Sequence, residues 1–434
     1  MHAAPAALDS ITSDVLRRAA AGFATPCYVY LLDRMRRRIR RVRQAFGERL
    51  AISYAVKANP NVELLRRLAG HVDWLDVSSL GEVRRGLAAG FDAARMTFSG
   101  PAKRDEDLDR AVECGIGEVV CESPDEIERL DRIAGARGRR QPFLIRINPA
   151  RAPSGFGIVM CGRPGPFGID EEALGDALAR LDEWPNLDFR GFHIYSATNS
   201  LSAQAITGNF RQMADLFARF ASQVGSPVRR LVFGAGFGIP YTINDTPLDL
   251  EAVAAHVNPM IDSMRSQPSL ADAACALEIG RYLTGPAGYL LTSIIGAKHS
   301  RGVEIRICDA GFNCHLAAFG LMGTVIRRNW PIWKVNGQPD DAVRPYMLTG
   351  PLCTAIDVLA ERIELPELAI GDLVAIGSSG AYGFSASPVR FISHPEPKEI
   401  LLIGEGDDAQ LINASEREAR PIDAAVAGLA ERLP

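Results

Sequence analysis

Short apolar runs rich in β-branched residues recur from about residue 50 and alternate with segments whose apolar residues have helical spacing. The runs are AISYAVKA, DWLDVSS, RMTFSG, GEVVCES, FLIRINP, FRGFHIYS, RLVFGAGFG and CALEIGR. Intervening segments such as VELLRRLAGH and DEDLDRAVECG place apolar residues at i, i+3, i+4 and i+7, and glycine often closes them. This alternation predicts a parallel sheet closed by helices, an α/β fold of the (β/α)8 barrel type.

The pattern changes after about residue 283. The segments YLLTSIIGAKHS, VEIRICDAG, DLVAIGSSGAY and VRFISHP are typical of strands separated by turns, with little helix between them. We therefore predict a barrel over residues 30–282 and a C-terminal β-rich domain over 283–434. The N-terminal segment 1–29 is expected to pack with the β-rich domain, its strand TPCYVYLLD linking the two parts.

Composition and charge restrict the class of protein only broadly. The chain has 434 residues, of which 47% are hydrophobic, and a net charge of −4 spread along its length. The most basic stretch, Arg34 to Arg43, has its apolar residues at helical spacing, so a solvated helix face explains it more simply than a nucleic-acid site. We expect no nucleic-acid partner.

The N-terminus and the cysteines indicate a cytoplasmic setting. The first residues lack the basic start and apolar run of a secretory signal. No stretch approaches the ~18 apolar residues of a membrane span. The eight cysteines form no CxxC pair, so we expect neither a disulfide framework nor a metal site.

Candidate chemistry collects where barrel strands end, because catalytic groups of such barrels lie at the C-terminal face. Lys57 closes the first strand. Alone it is most simply a surface lysine, but a lysine in a partly apolar pocket loses its proton more easily and can form a Schiff base. Asp76 and Glu82 follow the second strand. His193 and Ser196 end the sixth, where a single histidine is as readily a core residue.

The seventh and eighth strands end in further polar or glycine-rich segments. The loop GAGFG exposes backbone N–H groups that can bind a phosphate, although it matches neither the Walker sequence nor GxGxxG. Glu278 and Arg281 end the eighth strand and could be a structural ion pair. Beyond the barrel stand Cys353 in TGPLCTAID and Tyr382 in SSGAYGFSAS. An amine, a phosphate loop, an acid, a histidine ring and a thiol are together what pyridoxal phosphate chemistry requires.

The ordered motifs carry a family resemblance. The set YAVKAN, DVSS-x-GE, HIYS, GAGFG, E-x-GR, GPLC-x-x-xD and GAYG resembles the fold-type III pyridoxal-phosphate decarboxylases. This is the alanine-racemase-like group that contains diaminopimelate, ornithine and arginine decarboxylases. The resemblance extends from about residue 26 to about residue 400.

The resemblance implies a role for each matching residue. Lys57 would hold pyridoxal 5'-phosphate, His193 would stack on its ring and Glu278 would pair with the ring nitrogen. Asp76 and Glu82 would support the ring and the lysine. The remaining cofactor contacts, mainly to the phosphate, would come from Ser196, Gly234, Ala235, Gly236, Phe237, Gly238, Gly280, Arg281 and Tyr382.

The family also implies a homodimer with shared active sites. Cys353 and Asp357 would enter from the partner subunit. Glu278 would keep the ring nitrogen protonated, which makes the ring a strong electron sink. Cys353 would then protonate the substrate Cα, because a thiol pKa of ~8.5 is close to working pH.

Departures from the family pattern bear on the substrate. Ile279 replaces the usual proline and Ala235 a common glycine, and we expect little change from either unless Ala235 needs a positive φ. Thr354 stands where the family often has an acid that contacts a distal amino group. HLAAFG stands where diaminopimelate enzymes have Arg-Pro-x-x-Tyr, and Arg327 and Arg328 come later. These two arginines either meet an anionic substrate or form a solvated basic loop.

At these positions the sequence is more similar to the secondary-metabolism subgroup of the family than to the diaminopimelate enzymes. That subgroup includes siderophore enzymes that act on citryl-amino-acid conjugates, a decarboxylase of a carrier-bound aminoacyl substrate, and exosortase-associated relatives. We predict decarboxylation of an L-amino acid or of such a conjugate, and a carrier protein is among the partners that this substrate class implies. The alternatives are diaminopimelate decarboxylase, a racemase and a non-catalytic carrier of the cofactor. Glu278 and Cys353 argue against a racemase, and the second domain argues against a non-catalytic carrier.

Overall fold

The computed structural model describes residues 8–321, 328–338, 340–404 and 409–415. These residues form two compact units. Among the described residues, the barrel unit contains 38–238 and 247–280, and the β-rich unit contains those within 8–37, 239–246 and 281–415.

The strands of the described residues are numbered in chain order. They are β1 (Cys27–Leu31), β2 (Ala51–Ala55), β3 (Trp74–Val77), β4 (Met96–Phe98), β5 (Glu118–Cys121), β6 (Gln141–Asn148), β7 (Ile158–Val159), β8 (Ile169–Asp170), β9 (Leu187–Ile194), β10 (Ala197–Thr198), β11 (Arg230–Gly234), β12 (Ala274–Ile279), β13 (Gly288–Ser300), β14 (Val303–Cys308), β15 (Ile332–Lys334), β16 (Val343–Thr349), β17 (Val358–Pro366), β18 (Leu373–Ile376), β19 (Lys398–Ile403) and β20 (Gln410–Asn413).

The helices are numbered in the same way. They are α1 (Ser10–Phe23), α2 (Leu32–Phe46), α3 (Val62–Leu68), α4 (Leu80–Ala88), α5 (Asp105–Glu113), α6 (Pro124–Ala136), α7 (Leu174–Ala179), α8 (Ala203–Ala221), α9 (Leu250–Arg265) and α10 (Arg281–Thr284). Short 3-10 turns lie at Gly47–Arg49, Val56–Ala58, Ala93–Arg95, Leu181–Glu183, Gly285–Ala287, Phe384–Ala386 and Phe391–Ser393.

The barrel unit is a closed parallel sheet. Its strand order is β2-β3-β4-β5-β6-β9-β11-β12, and β12 pairs with β2 to close the ring. These are the eight predicted strands, so the (β/α)8 prediction is confirmed. Apolar residues fill the interior because both faces of a parallel strand are covered, and one core cluster is Val120, Leu144, Val232 and Ala276.

Helix N-caps fix the turn that follows several barrel strands. The side chains of Asn61, Ser79, Ser123 and Ser202 each accept a backbone N–H from the first turn of α3, α4, α6 and α8. Such caps define where each helix starts. Because the barrel strands are parallel, polar residues at their carboxyl ends lie at one end of the barrel.

The β-rich unit is a sheet with the path β17-β16-β14-β13-β1-β19-β20, in which β18 pairs with both β13 and β15. β1 lies between β13 and β19, so the N-terminal strand belongs to this sheet. α1 packs on it through Val15, Leu16 and Ala19. The two units meet in the chain at residues 37/38 and 280/281, whereas the sequence-based prediction placed these boundaries at 29/30 and 282/283. The segment 239–246 also belongs to the β-rich unit, which the sequence did not predict.

The strand predicted at VRFISHP is wrong. The structure has a 3-10 turn at Phe391–Ser393, with positive φ at Ile392 and Ser393. Phe391 and Ile392 are 42% and 47% exposed, so the apolar residues that suggested a strand are not covered by a neighbouring strand. Prolines at 388 and 395 bound the segment and disfavour pairing within a sheet.

The basic stretch forms α2, and several of its arginines make contacts within their own unit. Arg34 donates a hydrogen bond to the Tyr289 hydroxyl at 2.8 Å. Arg41 lies 2.6 Å from Glu251, and Arg43 3.0 Å from Asp73. These contacts explain the charge of the stretch as part of the fold.

Candidate active site

Lys57 lies at the centre of a buried charge cluster in the barrel unit. It sits in the 3-10 turn Val56–Ala58 directly after β2. Its Nζ is 2.9 Å from Glu278 Oε1 and 3.6 Å from Asp76 Oδ2. The lysine side chain is 38% exposed, whereas each carboxylate side chain is 2% exposed. The amine therefore closes the open side of two buried acids, which is not the environment of an ordinary surface lysine.

Glu278 comes to Lys57 through the closure of the barrel. It lies near the end of β12, which pairs with β2. Burial raises the pKa of the Glu278 carboxyl, but the charge of Lys57 and the hydrogen bond to His193 outweigh it, and the net pKa is lowered. Glu278 is consequently a stable anion. Gly280 lets the chain leave β12 close to the lysine turn, since a Cβ there would lie 2.7 Å from Ala58 Cβ.

His193 is a neutral ring held by Glu278. It lies in β9 and is 1% exposed. Burial lowers its pKa in spite of the Glu278 carboxylate. A neutral imidazole that faces an anion donates its proton to it, so Nε2 donates to Glu278 Oε2 at 2.9 Å. The other ring nitrogen, Nδ1, is buried and has no hydrogen-bond partner in the described part of the chain.

Asp76 is the second buried acid. It lies in β3 and accepts a hydrogen bond from the Ser99 hydroxyl at 2.7 Å through Oδ1. Burial, reinforced by the charge of Glu278, raises the pKa of Asp76 to about 7. Relative to ordinary carboxylic acids, the pKa of Asp76 is thus raised and the pKa of Glu278 is lowered.

Glu82 fixes the corner between β3 and α4. Its Oε2 accepts the backbone N–H of Ser78 at 2.7 Å, and the Ser79 hydroxyl accepts the N–H of Glu82 at 3.1 Å. Burial raises the pKa of Glu82. Its direct contacts are with the backbone beside Asp76, so Glu82 holds the corner that positions this part of the site.

The glycine-rich loop after β11 is closely packed. Gly236 has a φ of +64°, and a Cβ at Gly234 would lie 2.5 Å from Tyr195 Cδ2. Ala235 does not have a positive φ, so the alanine is tolerated as expected. The amides of Ala235 and Gly238 donate to Glu278 O and Ser200 O. The loop therefore offers fewer amides to a phosphate than the sequence suggested. Phe237 packs on Phe46, with 6.2 Å between ring centroids.

Three residues near Lys57, Asp76 or His193 were not predicted. Tyr195 places its ring centroid 5.1 Å from Lys57 Nζ, in a cation–π contact. Ser99 binds Asp76, and Arg146 Nη1 pairs with buried Glu122 at 3.0 Å. Ser99 follows β4 as the predicted residues follow their strands, and an arginine inside the apolar run FLIRINP is itself unusual. Ser196, which was predicted, is fully buried just beyond β9.

Arg281 and Tyr382 form a second group, in the β-rich unit. The Arg281 guanidinium carbon lies 4.6 Å from the Tyr382 ring centroid, and Nη1 donates to the Tyr241 hydroxyl at 2.5 Å. Tyr382 has a φ of +55°, which a residue of this size rarely adopts. The structure thus brings together two predicted phosphate ligands and adds Tyr241, which the sequence did not single out.

Cys353, Thr354 and Asp357 lie on one loop of the β-rich unit. Cys353 is exposed and Thr354 half-buried. Asp357 is buried, and its two oxygens accept the backbone N–H groups of Phe312 and Leu352, both at 2.8 Å. Asp357 therefore holds the loop that presents Cys353, and its role toward the substrate stays a prediction.

Replacing Asp357 should therefore affect stability. Asp357→Ala leaves two buried amides without acceptors, and we expect the free energy of unfolding to fall by about 2–4 kcal/mol in denaturant titrations. The matched control is Asp341→Ala, because Asp341 accepts the Gln338 N–H at 2.8 Å in an exposed position. It should lose less than about 1 kcal/mol. Equal losses in the two variants would contradict the structural role.

The remaining predicted residues are the two arginines after HLAAFG. Arg328 is exposed, and Arg327 lies outside the described residues.

All eight cysteines are free. The described residues contain no group of His, Cys, Asp and Glu placed to hold a metal ion. Their helices include none with both the length and the apolar character needed to cross a membrane.

Comparison with known proteins identifies similar chains. The model of the pyridoxal-dependent decarboxylase family, pyridoxal binding domain, matches residues 32–285. The L-glutamyl-[BtrI acyl-carrier protein] decarboxylase of Niallia circulans is 31% identical, over 87% of this chain and 89% of its own. Diaminopimelate decarboxylase of Pseudomonas aeruginosa is 32% identical over 90% of each chain. The 2-[(L-alanin-3-ylcarbamoyl)methyl]-2-hydroxybutanedioate decarboxylase of Staphylococcus aureus is 26% identical, over 88% and 95%.

Proposed function

Because the chain belongs to the pyridoxal-dependent decarboxylases, we propose that it decarboxylates an amino-acid unit carried on a larger conjugate, with pyridoxal phosphate bound at Lys57. Dependence on pyridoxal phosphate and decarboxylation of an amino acid are the activity of the family. The observation that carries the assignment to Lys57 is its contact with two buried carboxylates at the barrel's strand ends.

The residues present fit this cofactor. Glu278 is a buried anion suited to a ring nitrogen, and Lys57 is an amine within its reach. His193 Nδ1 is a buried polar atom without a partner in the described residues. The glycines let the loop after β11 pack closely on the protein's own neighbouring segments, since Cβ atoms at Gly234, Gly236 and Gly238 would all lie within 2.8 Å of protein atoms. Arg281 and Tyr382 would add phosphate contacts.

Each residue of the site has a separate role in the proposed reaction. When bound, pyridoxal phosphate supplies the electron sink for the pair left behind as CO2 departs. Glu278 keeps its negative charge and so holds a proton at whatever basic nitrogen pairs with it. His193 fixes the orientation of the Glu278 carboxylate. Lys57 binds the cofactor covalently, and Cys353, exposed on its loop, would deliver a proton to Cα from the partner subunit.

A conjugated substrate is supported by two positions of the sequence and by two of the relatives. Thr354 offers no counter-charge to the distal ammonium of a diamino acid, and HLAAFG lacks the arginine of diaminopimelate enzymes. Two of the relatives act on an amino-acid unit joined to a larger group, an acyl-carrier protein in one and a hydroxybutanedioate in the other. We accordingly expect the side chain to be citryl-linked or bound to a carrier protein.

Diaminopimelate decarboxylase is the second candidate, and one observation favours it. The Pseudomonas aeruginosa enzyme is as similar to this chain as the carrier-protein enzyme is. A panel of diaminopimelate, ornithine, lysine and citryl- or carrier-linked amino acids, with release of CO2 followed, separates the two. Turnover of diaminopimelate alone would reject the conjugate. Turnover of a conjugate with little release from the free diamino acids would support it.

The residue after Cys353 provides a specificity test. Thr354→Asp adds a carboxylate on a half-buried position, and we expect kcat/KM for ornithine or diaminopimelate to rise about fivefold, the scale of one ~1 kcal/mol ion pair. Thr354→Asn, of similar size and uncharged, should give no gain. If both variants improve cationic substrates equally, charge at 354 is not the cause.

We further propose a homodimer and a cytoplasmic location. Cys353 and Ile356 are exposed on the same loop, and Ile356 is 54% exposed, as expected of residues that meet a partner subunit. Light scattering at micromolar concentration would test the dimer. Mixing Cys353→Ala and Lys57→Ala subunits would test the shared site, because mixed dimers should regain part of the activity that each variant lacks alone.

A further inference from the structure

We propose that Asp76 is the proton acceptor that releases Lys57 for covalent bonding, and that Ser99 tunes it through the hydrogen bond to Oδ1. This inference rests on the proposed role of Lys57. It assigns to Asp76 a proton-transfer function at a stated atom, Oδ2, in addition to any support it gives to the cofactor.

The geometry distinguishes the two acids beside the lysine. Both oxygens of Glu278 are engaged, Oε1 by Lys57 and Oε2 by His193. Asp76 uses Oδ1 for Ser99, while Oδ2 is buried, lies 3.6 Å from Lys57 Nζ and has no hydrogen-bond partner among the residues described. Asp76 therefore has a vacant acceptor oxygen next to the amine, and Glu278 does not.

The pKa shifts of Glu278 and Asp76 distinguish the two acids in the same way as the geometry. Glu278 is held as an anion, whereas burial and the charge of Glu278 raise the pKa of Asp76 to about 7. Paired carboxyls whose environments separate their pKa values take separate acid and base roles. The other titratable groups facing this pair are Lys57 on the β2 turn, His193 on β9, which is neutral, and Glu82 on α4.

The proton transfer balances within the pair. Lys57 must be a neutral amine to act as a nucleophile. An N–H bond of its ammonium breaks, the electron pair stays on nitrogen, and an O–H bond forms at Asp76 Oδ2. The lysine changes from +1 to 0 and the aspartate from −1 to 0. No net charge enters the buried site, and Glu278 remains its anion throughout.

Ser99 sets the pH at which this acceptor works. Its O–H stabilises the ionised form of Asp76 and so lowers the pKa against the effect of burial. Asp76 accepts a proton only when ionised, so the rate of cofactor attachment should rise with pH through its pKa. Ser99→Ala removes the hydroxyl and should move that rise to higher pH by about one unit.

The test uses the apoenzyme mixed with pyridoxal phosphate at a series of pH values. The rate at which a borohydride-reducible bond forms on Lys57 is followed by mass spectrometry. Asp76→Asn should slow attachment at least about 100-fold, the scale of general base catalysis. Ser99→Thr keeps the hydroxyl and should keep the wild-type profile. Thr97→Val is the matched control on β4, because the Thr97 hydroxyl bonds Glu118 at 3.1 Å and not Asp76.

Infrared spectroscopy of the apoenzyme gives a readout independent of attachment. The C=O band of a protonated carboxylic acid should titrate near neutral pH and should be absent in Asp76→Asn. In Ser99→Ala the pH midpoint of its titration should move upward. A wild-type attachment rate in Asp76→Asn, or an unchanged profile in Ser99→Ala, would overturn the assignment. If wild-type protein forms no reducible bond at Lys57, the proposed function fails instead, and the infrared titration still decides whether Asp76 holds a proton.

Discussion

Lys57→Ala should abolish covalent binding of pyridoxal phosphate and lower kcat at least about a thousandfold, the scale of losing a covalent catalytic group. Visible absorbance of the bound cofactor and labelling by borohydride should both disappear. The reason is that Lys57 is the amine in contact with both Glu278 and Asp76 at the barrel's strand ends. A reducible cofactor bond that survives in this variant would show that another amine holds the cofactor.

The control must separate chemistry from charge. Lys57→Ala also leaves two buried carboxylates without their cation, so it should be less stable than the wild type. Lys57→Arg keeps a positive charge beside Glu278 and Asp76 but cannot form the covalent bond. We expect Lys57→Arg to unfold close to the wild-type denaturant concentration and to be as inactive as Lys57→Ala. Inactivity with intact folding then assigns the loss to the missing amine.

The barrel could be predicted because its pattern is local. Each strand is an apolar run with polar ends, and each closing helix has its own periodicity, so the eight strands are visible without tertiary information. The same locality made the strand-end residues accessible. Lys57, Asp76, His193 and Glu278 lie at the ends of different strands, and closure of the sheet brings them together.

What the sequence did not reveal depends on partners distant in the chain. The motif around Asp357 implied a substrate contact, but it gave no sign that the carboxylate accepts the backbone N–H groups of Phe312 and Leu352. Ser99 is a single serine after a short strand, and only the distance to Asp76 gives it a role. The segment 239–246 belongs to the β-rich unit although it is flanked by barrel sequence. None of these relations produces a periodic pattern.

Glu278→Gln should leave the cofactor attached but lower kcat by about 100- to 1000-fold, similar to removing one preorganised electrostatic group from an active site. The glutamine keeps the size of the side chain and can keep the His193 contact through its carbonyl oxygen. It cannot carry the negative charge that holds a proton at a paired ring nitrogen. The loss should therefore appear in kcat, with KM changed little, because the charge matters most when electrons move into the ring.

A second buried carboxylate tests whether charge removal alone explains this loss. Glu118 lies on β5, 3.3 Å from Arg230 Nε, and is buried like Glu278. Glu118→Gln should lower stability because Arg230 loses its counter-charge, but kcat should remain within about threefold of the wild type, since the pair has no place in the chemistry. Steady-state decarboxylation and denaturant unfolding of both variants make the comparison. Comparable kcat losses would trace the effect to a weakened barrel, whereas a loss confined to Glu278→Gln ties it to the anion facing Lys57.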